Sequence, residues 1–101
     1  YPVQIEDFMS ACPTIQDVAV IGLPDERLGE KAAAIVQLKP DYVGRTTEQD
    51  IEDFCLGLPR YKRPRRIIFA DVPRNATGKI EKPLLRERYG AKELVNQENQ
   101  S

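Results

Sequence analysis

Two apolar runs lying close together in the chain limit what it can fold into. Val18, Ala19, Val20, Ile21 and Leu23 follow one another almost unbroken, and Pro24, Asp25 and Glu26 close the run with turn formers. An apolar stretch of this length, rich in β-branched residues, reads as a buried strand ending in a turn. The second run, Glu30 to Leu38, has the same character weakened by three alanines. The short gap between the two predicts an antiparallel pair at the centre of a sheet.

Helical periodicity flanks this pair. Ile5, Phe8, Met9 and Cys12 recur at i, i+3, i+4 and i+7 behind Pro2, predicting a helix over 2–11 that ends at Pro13. Thr46 and Thr47 are helix caps, Glu48 and Asp50 suit the positive end of a helix dipole, and Ile51, Phe54, Cys55 and Leu58 supply the apolar stripe before Gly57 and Pro59 stop it. Ile67, Ile68 and Phe69 predict a third strand, and Pro83 opens a last helix that stops near Gly90. The expected fold is α+β, with two or three helices packed on one face of a small, mostly antiparallel three-stranded sheet.

At 101 residues the chain is one domain with a modest core, so a ligand is expected to lie on a face. Tyr1, Pro2 and Val3 form neither a start methionine nor a signal peptide, which reads as a piece cut from something longer. The absence of histidine removes the commonest general base and metal ligand, leaving chemistry to Lys, Arg, Asp, Glu, Tyr or the backbone, and no metal site is expected. Cys12 and Cys55 lack the spacing of a zinc site and read as reduced core thiols. Asp25, Glu26 and Glu30 are assigned to a turn and a strand start rather than to acid–base or metal chemistry.

Net charge is −1, but residues 1–50 hold 4 basic and 9 acidic side chains while 51–101 hold 11 and 7. This asymmetry suggests that one face meets an anion. Two segments supply the positive half. Pro73 to Lys79 is a polar loop whose glycine lets the backbone approach a partner while the lysine points outward. It is not a phosphate-binding P-loop, because Pro73 stands where the first glycine would be and Ile80 where the hydroxyl would be. Gly78 is expected to support the loop because a side chain there would displace the backbone of Lys79. Arg60, Lys62, Arg63, Arg65 and Arg66 put five cations into seven residues.

With these parts in view, the sequence resembles the C-terminal domain of the adenylate-forming enzymes, closest to acyl-CoA synthetases. The resemblance rests on Tyr1-Pro2 with Ile5-Glu6, on Asp17 to Glu26, on Gly29-Glu30, on Leu58 to Pro64, and on Pro73 to Lys79 with Leu85-Arg86. It implies a lid domain over 1–90 and a disordered polar tail over 91–101. In that family the lysine matching Lys79 enters a cleft formed with a large N-terminal ATP-binding domain, where it contacts the substrate carboxylate and the phosphate under attack. Lys79 is therefore implied as the catalytic residue. ATP and coenzyme A are implied as substrates, with Mg2+ held by the larger domain and a carboxylic acid as the molecule activated.

The resemblance further implies that Arg63 and Arg65 contact the coenzyme A phosphates. Two other readings of that run stay open: arginines paired with carboxylates of the larger domain, and a nucleic-acid footprint, for which only Tyr61 offers a stacking ring. The family pattern around Lys79 is also one recognised by lysine acetyltransferases. The expectation is a cytoplasmic ligase with no membrane span and no nucleic-acid partner. The rivals are an adenylation domain that loads a carrier protein and an independent anion-binding module.

Overall fold

The computed structural model describes residues 2–27 and 29–90; the tail expected over 91–101 lies outside them. Helix α1 (Pro2–Ser10) leads into strand β1 (Ile15–Asp25), which pairs antiparallel with β2 (Gly29–Leu38). A 3-10 turn at Pro40–Tyr42 precedes α2 (Glu48–Phe54), and further 3-10 turns at Cys55–Gly57 and Arg60–Lys62 lead to β3 (Arg66–Phe69). A last helix, α3, covers 82–90. The sheet order is β1-β2-β3, with β3 parallel to β2. This parallel pairing needs the long crossover through α2, since parallel neighbours cannot be joined by a tight turn.

The expected α+β class and central hairpin are present, but the helices occupy both faces of the sheet rather than one. Val18, Val20, Ala34 and Val36 pack with Ile5, Met9 and Cys12 of the α1 segment and with Ile51, Cys55 and Leu58 beyond. The alternate residues Ala19, Ile21, Leu23, Ala33 and Ile35 point the other way, against Val72 and Leu85 of α3. Successive strand side chains face opposite sides, so an apolar run without alternation needs a cover on each side.

β1 extends beyond its apolar run to include Pro24. Proline is tolerated there because β1 is an edge strand, with no neighbour requiring its missing N–H. Helix α2 starts where the threonines predict: Thr47 Oγ1 accepts from the Asp50 N–H at 3.2 Å, and Asp50 Oδ2 accepts from the Thr47 N–H at 2.9 Å. This reciprocal pair is a capping box. At Gly57 a β-carbon would come within 2.7 Å of Phe8 Cζ, so glycine is what allows α1 to approach the end of α2. Both cysteines are free and buried, and burial pushes the Cys55 thiol up to about 11, which keeps it protonated and unreactive.

Leu85 is fully buried and fastens α3 to the sheet. Leu85→Ala is expected to lower stability in urea unfolding by roughly 2–5 kcal/mol, the cost of truncating a large buried aliphatic side chain.

Candidate functional site

After β3 the chain is caught by the N–H of Val72, which donates to Gln37 Oε1 at 2.9 Å, and then turns back on itself. Arg74 and Ile80 form an antiparallel bridge, and the N–H of Glu81 donates to the Pro73 carbonyl at 3.0 Å. Within this neck the loop closes on Asn75. The Asn75 N–H donates to the Lys79 carbonyl and the Gly78 N–H to the Asn75 carbonyl, both at 2.9 Å. Asn75 Oδ1 accepts three further bonds, from Thr77 N–H at 3.0 Å, Thr77 Oγ1 at 2.7 Å and Lys79 N–H at 3.0 Å. One short amide side chain thus organises the loop, as asparagine commonly does in turns.

Gly78 has φ 85°, a left-handed conformation that glycine enters without a steric penalty. A β-carbon at that position would meet no atom within 4 Å. Glycine is therefore needed for the backbone angle, and not for the want of space that sequence reasoning gave as the cause.

Lys79 is exposed, and no hydrogen bond or ion pair holds its ammonium among the described residues. It borders a depression of about 470 Å³ lined also by Asn75, Ile80, Glu81, Pro83 and Leu84. That hollow is built at the junction of the loop and α3, so packing α3 on the sheet also shapes the ground beside the lysine.

Sequence reasoning passed over Arg74 and Asp17. Arg74 Nε donates to Asp17 Oδ2 at 2.8 Å and Nη2 to Oδ1 at 2.9 Å, while Nη1 donates to the Gly78 carbonyl. The forked guanidinium holds the Asp17 carboxyl below the usual carboxylate range, against partial burial that acts the other way; the Val18 N–H at 2.9 Å lowers it further. The partners are 57 positions apart, beyond any local pattern. The one signal in the sequence was a charged residue, Asp17, directly ahead of an apolar strand.

The basic segment is divided in its duties. Arg63 folds back onto the 3-10 turn that follows α2, with Nε donating to the Leu58 carbonyl at 3.0 Å and Nη2 to the Leu56 carbonyl at 3.2 Å. Lys62 Nζ donates to Gln4 Oε1 of α1 at 2.8 Å. Arg65 is exposed, with its backbone N–H on the Ala32 carbonyl at 2.9 Å. Asp25 takes the turn role expected of it, accepting from the Arg27 N–H at 3.3 Å. Among the described residues, no group of three or more His, Cys, Asp or Glu side chains is arranged to hold a metal ion. No helix among them is long and apolar enough to cross a membrane.

The model of the AMP-binding enzyme C-terminal domain matches residues 4–79. The long-chain-fatty-acid–CoA ligase FadD13 of Mycobacterium tuberculosis is 50% identical over 93 residues, covering 90% of this chain and 18% of that protein. A solved Mycobacterium tuberculosis fatty acyl CoA synthetase superposes with a TM-score of 0.83 at 49% identity, covering 91% of this chain and 18% of the other. The anthranilate CoA ligase AuaEII, solved in complex with anthranoyl-AMP, gives a TM-score of 0.76 at 38% identity, with 86% and 17% covered. The chain thus spans under a fifth of the length of these relatives.

Folding lowers the Asp17 pKa, so the Arg74 pair contributes stability above the unfolded carboxylate value near pH 4 and loses it as pH falls through the folded value. Because the pair is partly exposed, the contribution is about 1 kcal/mol or less. In acid titrations followed by urea unfolding, Asp17→Asn is expected to be slightly less stable at neutral pH and to lose stability less steeply below about pH 4.

Proposed function

The chain belongs to the family of AMP-binding enzyme C-terminal domains, and on that premise we propose that it is the lid of an ATP-dependent, AMP-forming acyl-CoA ligase in which Lys79 serves the adenylation step. The observation that carries this reading is the braced 75–79 loop, which presents an ammonium unpaired among the described residues beside an open hollow.

The chemistry needs such a charge. A substrate carboxylate attacks the α-phosphorus of ATP, forming the acyl–phosphate bond of an acyl-adenylate as the bond to pyrophosphate breaks. Two anions meet in that step and negative charge grows on the phosphoryl oxygens, so a cation placed beforehand lowers the barrier without transferring a proton. The described residues offer no carboxylate set for the Mg2+ that accompanies ATP; the proposal assigns it to the large N-terminal domain, along with the pocket that selects the acid.

Coenzyme A is the proposed thiol acceptor, since the relatives named above are CoA ligases. They lend no support to a carrier-protein acceptor or an independent binding module. Arg65 is the better placed of the two candidate phosphate contacts. Arg63 has two donors committed to carbonyls, which leaves one edge of its guanidinium for coenzyme A. The exposure of Lys79 also suits a lysine acetyltransferase, whose product would lack the cation. A cytoplasmic site of action completes the reading.

In the full-length enzyme, Lys79→Ala is expected to slow acyl-adenylate formation by at least ~10²–10³ while supplied acyl-adenylate still reacts with coenzyme A; equal loss of both half-reactions would remove the lysine from this role. Arg65→Ala is expected to raise KM for coenzyme A by roughly tenfold, the worth of one charge-assisted hydrogen bond, without altering pyrophosphate exchange.

A further inference from the structure

A lysine ammonium sits on a flexible four-carbon stem, so the protein sets its reach only through the backbone that carries it. The bonds gathered on Asn75 fix the shape of the 75–79 loop, but they all lie inside it and leave its tilt against the sheet unset. Arg74 supplies what they lack. Its guanidinium touches Gly78, the residue directly before Lys79, and grips the Asp17 carboxylate of β1 with two parallel bonds of 2.8 and 2.9 Å.

Asp17 is itself aimed. The register of β1 on β2 shifts between Ile15 and Asp17, a bulge of the kind that redirects a side chain, and the Val18 N–H at 2.9 Å holds one carboxylate oxygen in place. The Arg74 and Asp17 side chains remain 44% and 22% exposed, and ion pairs this wet add little to stability. Three donors on one rigid fork nevertheless fix direction well.

We infer that Arg74, held by Asp17, is a positioning residue for adenylation, setting the angle at which the Lys79 loop leaves the sheet. The inference rests on the role proposed for Lys79. It makes Arg74 act through that lysine alone, so its effect should vanish once the lysine is gone.

The test uses the full-length enzyme with octanoate and palmitate as acids, measuring pyrophosphate exchange for adenylation and the reaction of supplied octanoyl-adenylate with coenzyme A for the second step. Arg74→Ala is expected to lower kcat for adenylation by roughly ten- to hundredfold, the scale of an ångström-sized misplacement, with thiolation unchanged within about twofold. Arg74→Lys, which keeps the charge but not the fork, should recover only part of the loss. Asp17→Asn, nearly isosteric and safe for folding, should lose adenylation in the same direction by less. Added to Lys79→Ala, Arg74→Ala should cost nothing more, because residues acting as one unit are not additive.

Undiminished adenylation in Arg74→Ala, equal loss of both half-reactions, or a further loss of the same factor on the Lys79→Ala background would each overturn the inference while leaving the role of Lys79 standing. Undiminished adenylation in Lys79→Ala would overturn both.

Discussion

Everything in this domain hangs on a two-strand ladder with no polar face. Because β1 and β2 bury both sides, each side needs a cover, and the chain provides α1 and α2 on one and α3 on the other. The core splits into two clusters separated by the sheet, each small enough that one truncated residue is felt. The arrangement also sets where the chain can travel after β3. Val72 already packs on the α3 face and Ile80 packs against the same cluster, so the 73–80 loop leaves and rejoins that one face just ahead of α3. The functional candidate is thus anchored at both ends by one face of the core.

The loop shows how a small domain makes an accurate surface without an interior to support it. Its internal bonds converge on Asn75, which ties in Thr77, Gly78 and Lys79, and Gly78 supplies the left-handed turn. Its stiffness is local and needs no core. Its direction is a separate problem, solved by a guanidinium that reaches a carboxylate on the edge strand. An amide that shapes and an arginine that aims divide the task in the manner expected of sites whose reacting group has a flexible stem.

The two positive segments differ in kind. The lysine loop leaves its ammonium free of partners among the described residues. The 60–66 run instead spends much of its charge on its own domain: Arg63 satisfies the Leu56 and Leu58 carbonyls at the end of the 3-10 turn that follows α2, and Lys62 tethers α1. Helix ends require such partners, so a dense basic run is not by itself a binding surface. The exposed cations of the run whose side chains make no hydrogen bond or ion pair among the described residues are Arg60 and Arg65.

Periodicity and composition alone determined the local matters: the central hairpin, the stripes of α1 and α2, the Thr47 cap, the third strand, and a glycine–lysine loop that is no P-loop. These follow from interactions within a few residues, where sequence spacing is spatial spacing. Only the three-dimensional structure decided that α3 covers the opposite face, that Gly78 serves its backbone angle, that Arg63 ties down the 3-10 turn after α2, and that Asp17 and Arg74 meet. The unbroken apolar run did hold the first of these, since a strand without alternation has two faces to bury. The Gly78 angle and the Arg63 bonds are local but turn on backbone and side-chain geometry that residue type alone leaves open, whereas Asp17 and Arg74 lie 57 positions apart, and no local pattern encodes which of many charged side chains the folded sheet will bring within three ångströms of one another.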